Sequence, residues 1–196
     1  MRKSKLKKKG PFRVVSSREI YKNPWIRVRE DKVIRPDGKR GIFGMVEMTP
    51  GVQVVAIDKK GFCYLTKEYH YAVDKITVEV IAGGIDKGES PLVAARRECF
   101  EEAGLRAARW YYLGEFSLFS TLISSPQHIF LGLEAEVVSQ PHPEDQKSTR
   151  IIRVPFERAV RMAGKGDIFI GASMAAILKA DHYLRSKKYV FKKSRN

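Results

Sequence analysis

The chain has 196 residues, of which 43% are hydrophobic and 30% are charged. This length is enough for one domain with a small appendage, and the composition excludes collagen-like, low-complexity and wholly disordered chains. The longest apolar runs, such as residues 54–57, are far too short to cross a membrane, so we expect no membrane association. The two cysteines match neither a metal site nor a disulfide framework, which favours a cytoplasmic protein.

The formal net charge of +15 is concentrated at the two ends of the chain. Residues 1–10 contain six basic residues, residues 182–196 contain another six, and neither segment contains an acid. Because blocks of like charge repel one another, we predict disordered basic tails over residues 1–11 and 186–196. Such tails would contact polyanions weakly and without specificity.

The first part of the chain after the basic tail predicts β structure. Residues 25–30 and 43–48 alternate apolar and polar side chains, and residues 36–39 (Pro-Asp-Gly-Lys) between them predict a turn. We therefore predict an N-terminal antiparallel β subdomain over residues 12–50.

The following domain, residues 51–185, mixes strands with helices. The sequence predicts strands at residues 53–57, 62–66, 76–81, 110–116 and 128–138. Residues 58–61 predict a hairpin loop, and Gly83-Gly84 is expected to end the third of these strands.

One helix is predicted from Ser90 to Ala103. Ser90 suits the N-cap, Pro91 suits the first helical position and Gly104 suits the stop. Further helices are predicted near residues 156–163 and 172–184, and residues 140–149 predict a polar loop. This order of elements is typical of a mixed α/β fold.

Three glutamates on the predicted helix indicate a metal site. Glu98, Glu101 and Glu102 are spaced i, i+3, i+4, so they share one helix face and destabilise it unless a cation neutralises them. Mg²⁺ prefers oxygen ligands of this kind. Arg97 could hold one of the carboxylates, and Glu89 near the helix start is favoured by the helix dipole. The alternative is a solvated helix face paired with neighbouring arginines.

Residues 83–105 resemble the signature of the Nudix hydrolases. That signature reads Gly, five residues, Glu, seven residues, Arg-Glu, an apolar residue, any residue, Glu-Glu, any residue, Gly, and an apolar residue. Its fixed positions are filled by Gly83, Glu89, Arg97, Glu98, Glu101, Glu102 and Gly104. The resemblance implies an α/β fold, namely a Nudix-type α/β/α sandwich with a mixed sheet, preceded by the N-terminal antiparallel β subdomain. It also implies Mg²⁺ or Mn²⁺ as cofactor.

The same resemblance assigns roles to individual residues. Glu98 and Glu102 correspond to the main metal ligands, Glu101 to a further ligand, and the carbonyl of Ala82 to a backbone ligand. The residues implied to support this box are Gly83, Glu89, Arg97 and Gly104.

Segments on either side of the box resemble the ADP-ribose and nucleotide-sugar pyrophosphatases of the family. These segments are residues 67–73 (KEYHYAV) and 78–86 (VEVIAGGID). In that branch a motif like Arg-Gln-Tyr-Arg lines the nucleotide site, a Glu precedes the glycines, and the N-terminal strands build a homodimer. The implied substrate-binding residues are Lys67, Tyr69, His70 and Glu79.

The catalytic base in this branch comes from an acidic loop after the last strands of the sheet, which implies Glu144. A solvated loop acid accounts for Glu144 equally well, and Asp145, Glu134 and Glu136 are alternatives for the base.

The implied activity is metal-dependent hydrolysis of the diphosphate bond of nucleoside diphosphate sugars. ADP-ribose would give AMP and ribose 5-phosphate. Lys67 and His70 replace the two arginines of the nucleotide-site motif, so bidentate contacts are lost and GDP-mannose or another sugar nucleotide is an alternative substrate. The rival functions are a Nudix pyrophosphatase for RNA or dinucleoside polyphosphates, which the basic tails favour, and a non-catalytic nucleotide-sugar sensor, which the intact box disfavours.

Overall fold

The computed structural model describes residues 7–141 and 149–191, which form two units. Unit 1 comprises the chain up to Pro50 together with Ser117–Pro126, and unit 2 comprises Gly51–Phe116 and the chain from Gln127 onward. The domain bounds expected from the sequence, residues 12–50 and 51–185, stay a prediction, and they differ from the two units in placing Ser117–Pro126 in the second domain. No helix in the described ranges has the length and apolar character needed to span a membrane.

Unit 1 is an antiparallel sheet extended by one short parallel strand. Its strands, in spatial order, are β1 (Lys7–Lys9), β2 (Phe12–Lys22), β3 (Ile26–Ile34), β4 (Arg40–Met48) and β10 (Ile123–Ser124). The predicted turn between β3 and β4 is present, and Gly38 supplies the positive φ of 79° that it requires. β1 pairs with β2, so this part of the predicted tail is a strand, because backbone pairing orders it despite its like charges.

Unit 2 contains a mixed sheet. Its strands are β5 (Gly51–Ile57), β6 (Phe62–His70), β7 (Lys75–Glu79), β8 (Ile81–Gly84), β9 (Leu105–Ser117), β11 (Pro126–Val137) and β12 (Thr149–Pro155). Their order is β12-β6-β5-β11-β9, with β7 paired to β6 and β8 paired to β5. β11 runs parallel to β5, whereas β12 and β7 run antiparallel to β6.

Helices cover both faces of this sheet. They are α1 (Pro91–Ala103), α2 (Phe156–Lys165) and α3 (Gly171–Ser186). Buried Ala95 and Cys99 of α1 pack with Val54 of β5 in one core cluster. Ala159 of α2 and Ala176 of α3 pack in the other cluster. The strand residues in that cluster alternate with those of the first cluster and so point to the opposite face of the sheet. The predicted α/β/α sandwich is confirmed.

The predicted strand over residues 76–81 is two strands, which corrects the sequence-based prediction. The chain leaves the edge of β6 after Glu79 and continues beside β5 from Ile81. The N–H of Val80 at the break donates to the Ser173 hydroxyl across 3.2 Å, so this buried group keeps a partner outside the sheet. Gly83 and Gly84 lie within β8 rather than after the strand.

Two further segments differ from the sequence-based expectation. β12 pairs with β6 along its whole length, although residues 149–155 were not predicted as a strand. At the C-terminal end, the Phe191 ring contacts Phe156, with ring centroids 6.5 Å apart, and it also packs edge-on against Tyr189. The described part of the predicted C-terminal tail therefore folds onto unit 2, because burial of two aromatic rings offsets the cost of ordering it.

Candidate active site

Local capping fixes the helix that carries the three glutamates. The Ser90 hydroxyl accepts the Val93 N–H across 3.4 Å, and Pro91 occupies the first turn. Gly104 ends the helix with φ of 64°, and its N–H donates to the Phe100 carbonyl across 2.8 Å. A Cβ at Gly104 would meet the carbonyl of Ser139, so both backbone shape and close packing require glycine there.

Arg97 is the centre of the hydrogen-bond network on this helix. Its guanidinium donates twice to Glu89 (3.1 and 2.9 Å), once to Glu98 (2.7 Å) and once to Glu101 (3.1 Å). A further N–H donates to the Gly84 carbonyl across 2.8 Å. One side chain therefore ties the strand, the loop and the helix together.

Glu89 completes this connection from the loop. Its carboxylate accepts the Asp86 N–H across 3.1 Å in addition to its two bonds from Arg97. The bonds from Arg97 hold the pKa of Glu89 below its ordinary value, and the bonds to Glu89 raise the pKa of Arg97. Both groups therefore stay charged at neutral pH.

Glu98 lies directly over Gly83. A Cβ added at Gly83 would collide with the Glu98 carboxylate, so the glycine makes room for it. The Glu98 side chain is only 15% exposed, and burial raises its pKa although Arg97 opposes the shift. Glu101, in contrast, is 39% exposed and lies at the rim, where Arg97 holds it.

Glu102 is the most strongly perturbed carboxylate of the set. Its pKa is raised to about 8, mainly by burial and also by the nearby charges of Glu98, Glu68 and Glu79, while the hydrogen bond from Ala82 opposes the shift. That bond runs from the Ala82 N–H to the Glu102 carboxylate and is 3.1 Å long. This bond brings the Glu102 carboxylate against the backbone of β8, and the metal site predicted there stays a prediction.

A second group of side chains adjoins Glu102. Glu68 and His70 on β6 and Glu79 on β7 bring their potential ligand atoms within 4.8 Å of one another. His70 Nε2 contacts Glu79 Oε1, and the Thr77 hydroxyl donates to the same oxygen across 3.2 Å. Glu79 is 8% exposed. Glu68 was not among the predicted site residues, and the signal that could have found it is its two-residue spacing from His70 on one strand face.

Lys67 and Tyr69, the other two predicted substrate-binding residues, do not join this group, and their role stays a prediction. Side chains alternate along β6, so these two residues face away from Glu68 and His70. Tyr69 instead donates its hydroxyl to the Asp74 carboxylate across 2.8 Å. The predicted residues that the structure brings together, with the added Glu68, are Ala82, Gly83, Glu89, Arg97, Glu98, Glu101, Glu102, His70, Glu79 and Glu68.

The candidates for the catalytic base separate into two groups. Glu144 and Asp145 lie outside the described residues. Glu134 is ion-paired with Arg109 across 2.7 Å, and Glu136 is ion-paired with Lys59 across 2.6 Å. Both residues follow Leu133, which pairs with Ile57 at the C-terminal end of β5. Ala82 pairs with Gln53 near the N-terminal end of β5, so the two glutamates lie toward the other end of this strand. These pairings disfavour Glu134 and Glu136 as the base.

Comparison with known families gives two adjoining matches. A family model described as the nucleoside diphosphate sugar hydrolase N-terminal domain matches residues 12–46, and the model of the NUDIX domain matches residues 47–171.

Individual relatives extend over nearly the whole chain. An ADP-ribose pyrophosphatase of Bacillus subtilis (strain 168) is 24% identical over 90% of this chain and 94% of its own length. An ADP-ribose pyrophosphatase of Mycobacterium tuberculosis (strain ATCC 25618 / H37Rv) is 25% identical over 85% of this chain and 82% of its own length. Among solved structures, an ADP compounds hydrolase superposes with a TM-score of 0.80 at 21% identity, covering 95% of this chain and 100% of that one. The last match shows a shared fold.

Proposed function

Because the chain belongs to the Nudix hydrolase family, we propose that it hydrolyses the diphosphate bond of nucleoside diphosphate sugars and prefers ADP-ribose, giving AMP and ribose 5-phosphate. The chain is a Nudix pyrophosphatase, and its N-terminal match to a nucleoside diphosphate sugar hydrolase domain supports the substrate class. Two ADP-ribose pyrophosphatases among its relatives support the choice of sugar. GDP-mannose is the alternative substrate to be tested beside ADP-ribose.

The observation that carries this proposal is the buried pair Glu98 and Glu102 beside the backbone of Ala82. Burial is the main cause of their raised pKa values, and an oxygen-only donor set of this kind fits Mg²⁺ or Mn²⁺. We assign Glu98, Glu102 and the Ala82 carbonyl as the main ligands, with Glu101 as a further ligand. The ion would supply neutralisation of the phosphate charge and a lowered pKa for the attacking water.

The protein's own residues would do the remaining work. Arg97 holds Glu98 in place through a 2.7 Å bond, and Glu89 fixes Arg97 from the loop. His70 and Glu79, on the face that adjoins Glu102, would bind the nucleotide sugar. Glu144 stays our prediction for the base that removes a proton from the attacking water.

A homodimer is also proposed, since unit 1 leaves large apolar side chains uncovered. Trp25 is 73% exposed, Ile42 is 63% exposed, and Tyr21 and Ile20 are about half exposed. Sedimentation analysis that finds a monomer would contradict the dimer. The cytoplasmic location stays a prediction.

The deciding experiment is a phosphatase-coupled phosphate-release assay with added Mg²⁺. The substrates are ADP-ribose, GDP-mannose, ADP-glucose, diadenosine polyphosphates, deoxynucleoside triphosphates and 5′-triphosphate RNA, and Glu102→Gln is the inactive control. We expect turnover of at least one nucleotide sugar that EDTA abolishes. Turnover of RNA alone would contradict the substrate class, and no turnover on any substrate would favour a sensor.

A further inference from the structure

The two faces of the β6–β7 hairpin carry different side chains. Glu68, Thr77 and Glu79 lie on the face beside the candidate active site. Lys67 and Val78 are register partners on the other face. The second face is therefore separated from the nucleotide-sugar site by the sheet itself.

Helix α2 borders this second face with a row of cations. Arg158, Arg161 and Lys165 are spaced i, i+3, i+7, so they lie along one side of the helix. Together with Met162, Asp167 and Val78 of β7, they line a hollow of about 470 Å³. Val78 and Met162 supply apolar surface, and three cations outnumber the single carboxylate of Asp167 in the lining.

The strand register extends the positive charge beyond the hollow. Lys67 pairs with Val78, and Arg150 of β12 pairs with Lys67, so both cations lie on the same side of the sheet as Val78. We call this surface the α2 face, and it consists of Lys67, Arg150, Arg158, Arg161 and Lys165.

The cations of the α2 face lack carboxylate partners among the residues that the structure describes. Several other arginines of unit 2 form ion pairs, namely Arg97, Arg109, Arg153 and Arg185. Like charges at neighbouring positions on a helix repel each other. A bound anion would relieve that repulsion, so the α2 face is arranged for an anionic partner.

We propose that the α2 face binds single-stranded nucleic acid, with its cations on successive phosphates and one nucleotide seated in the hollow. The volume of the hollow lies in the range of small-ligand sites, and its mixed apolar and cationic lining suits a base joined to a phosphate. Tyr69 lies on the same sheet face and is 48% exposed, so it offers a ring for stacking. A flat membrane surface would not fill a concave site.

The test measures binding of the full chain to a fluorescent single-stranded RNA of about 12 nucleotides by anisotropy over a series of salt concentrations. The variant is Arg158→Gln, Arg161→Gln and Lys165→Gln, which keeps good helix formers on α2. The matched control is Lys22→Gln, Lys32→Gln and Lys39→Gln, which removes the same charge from exposed positions of unit 1.

We expect the α2 variant to bind at least about tenfold more weakly at roughly 0.1 M salt, and its salt slope to fall by about 2, which corresponds to three lost phosphate contacts. The control variant should stay within about twofold of the wild type. Hydrolysis of ADP-ribose should be unchanged in the α2 variant, so the outcome is independent of the proposed enzymatic function.

Three results would overturn the proposal. Equal losses in both variants would show that only net charge matters. Tighter binding to phosphatidylserine vesicles than to RNA, with the same loss in the α2 variant, would assign the surface to a membrane. Equal affinity for free AMP and RNA would restrict it to a mononucleotide. If circular dichroism shows that the α2 variant is unfolded, Lys67→Gln with Arg150→Gln tests the same face on the strands.

Discussion

The Glu102 carboxylate accepts a hydrogen bond from the backbone N–H of Ala82 across 3.1 Å. This bond connects the last turn of α1 to β8, so the residue proposed as a metal ligand also positions the backbone proposed as its neighbouring ligand. Because it depends on an acceptor oxygen and not on a charge, an amide at position 102 can preserve it.

We expect Glu102→Gln to reduce the turnover of ADP-ribose by at least about 100-fold while the protein stays folded. Loss of a residue that only supports a metal ligand lowers metal affinity or activity by about 10–100-fold, so loss of a ligand itself should lower activity further. The measurement is kcat with saturating Mg²⁺, and Glu101→Gln is the matched control with a smaller loss, since Glu101 lies at the rim. Near-normal turnover of Glu102→Gln would exclude it as a ligand.

The raised pKa of Glu102 predicts that the metal-free protein loses stability as pH rises. Its pKa rises from an ordinary value of 4.5 to about 8 in the folded state, so the folded chain retains a proton that the unfolded chain has released. The stability that this retained proton contributes is fully present below the unfolded pKa of 4.5, and it is lost as pH rises through the folded pKa of about 8. Each tenfold difference in proton affinity between the folded and unfolded chains corresponds to about 1.4 kcal/mol.

Urea unfolding in EDTA at several values between about pH 5 and pH 8.5 measures this loss. Glu102→Gln should remove most of the decrease in the free energy of unfolding with rising pH. The decrease that remains should come from Glu98, whose pKa is shifted in the same direction. The same pH dependence in wild type and Glu102→Gln would show that another group is responsible.

Gly83→Ala is expected to reduce activity more than stability. The new methyl group displaces the Glu98 carboxylate, which lies at the end of a flexible side chain and can rotate away. Displacement of a catalytic group by about 1 Å can cost about 100-fold in rate, whereas the free energy of unfolding should change by less than about 1 kcal/mol. Gly164→Ala is the control, because a Cβ there meets no atom within 4 Å. An equal loss of activity in both variants would reject this explanation.

Replacement of Arg97 by Lys should raise the Mg²⁺ concentration needed for half-maximal activity by about 10–100-fold. Lys carries a compact charge and cannot donate simultaneously to Glu89, Glu98 and the Gly84 carbonyl as the guanidinium does. Activity should recover in part at high Mg²⁺. Arg96→Lys, at the exposed neighbouring position, should leave the requirement unchanged, and an unaltered Mg²⁺ requirement in Arg97→Lys would contradict its positioning role.

A double-mutant cycle tests whether His70 and Glu79 act together on the substrate. Since the two side chains are in contact, His70→Ala and Glu79→Gln should both raise KM for ADP-ribose, with a coupling of about 0.5–3 kcal/mol. The ion pair of Asp181 and Arg185 on α3 serves as the control and should leave KM unaltered. Strictly additive effects of the His70 and Glu79 changes would show that they act separately.

The parts of the fold that depend on local signals were predictable from sequence. Helix α1 begins and ends where Ser90, Pro91 and Gly104 indicate, because caps act on the adjacent turn. The break at Val80 was not predictable, since apolar alternation continues through it and only the pairing with β5 and β6 divides the strand. β12 was missed because its partner, β6, lies far away in the sequence.

The same distinction applies to the candidate site. The box glutamates share a helix, so their spacing alone places Glu98 and Glu102 together. The two-residue spacing of Glu68 from His70 places both on one strand face, but its proximity to Glu79 depends on the register between β6 and β7, which the sequence of one strand does not reveal. Lys67 and Tyr69 were grouped with His70 through a linear motif, whereas the pleat of the strand places them on the opposite face.

The alternation along β6 also restricts how this segment can change during evolution. Inserting or deleting a single residue between Thr66 and His70 would carry every following side chain to the other face, bringing a lysine or tyrosine beside Glu102 and a glutamate beside the α2 cations. Both surfaces would be lost in one mutational event. We therefore expect close homologues to differ here by substitution while the length of the segment stays constant.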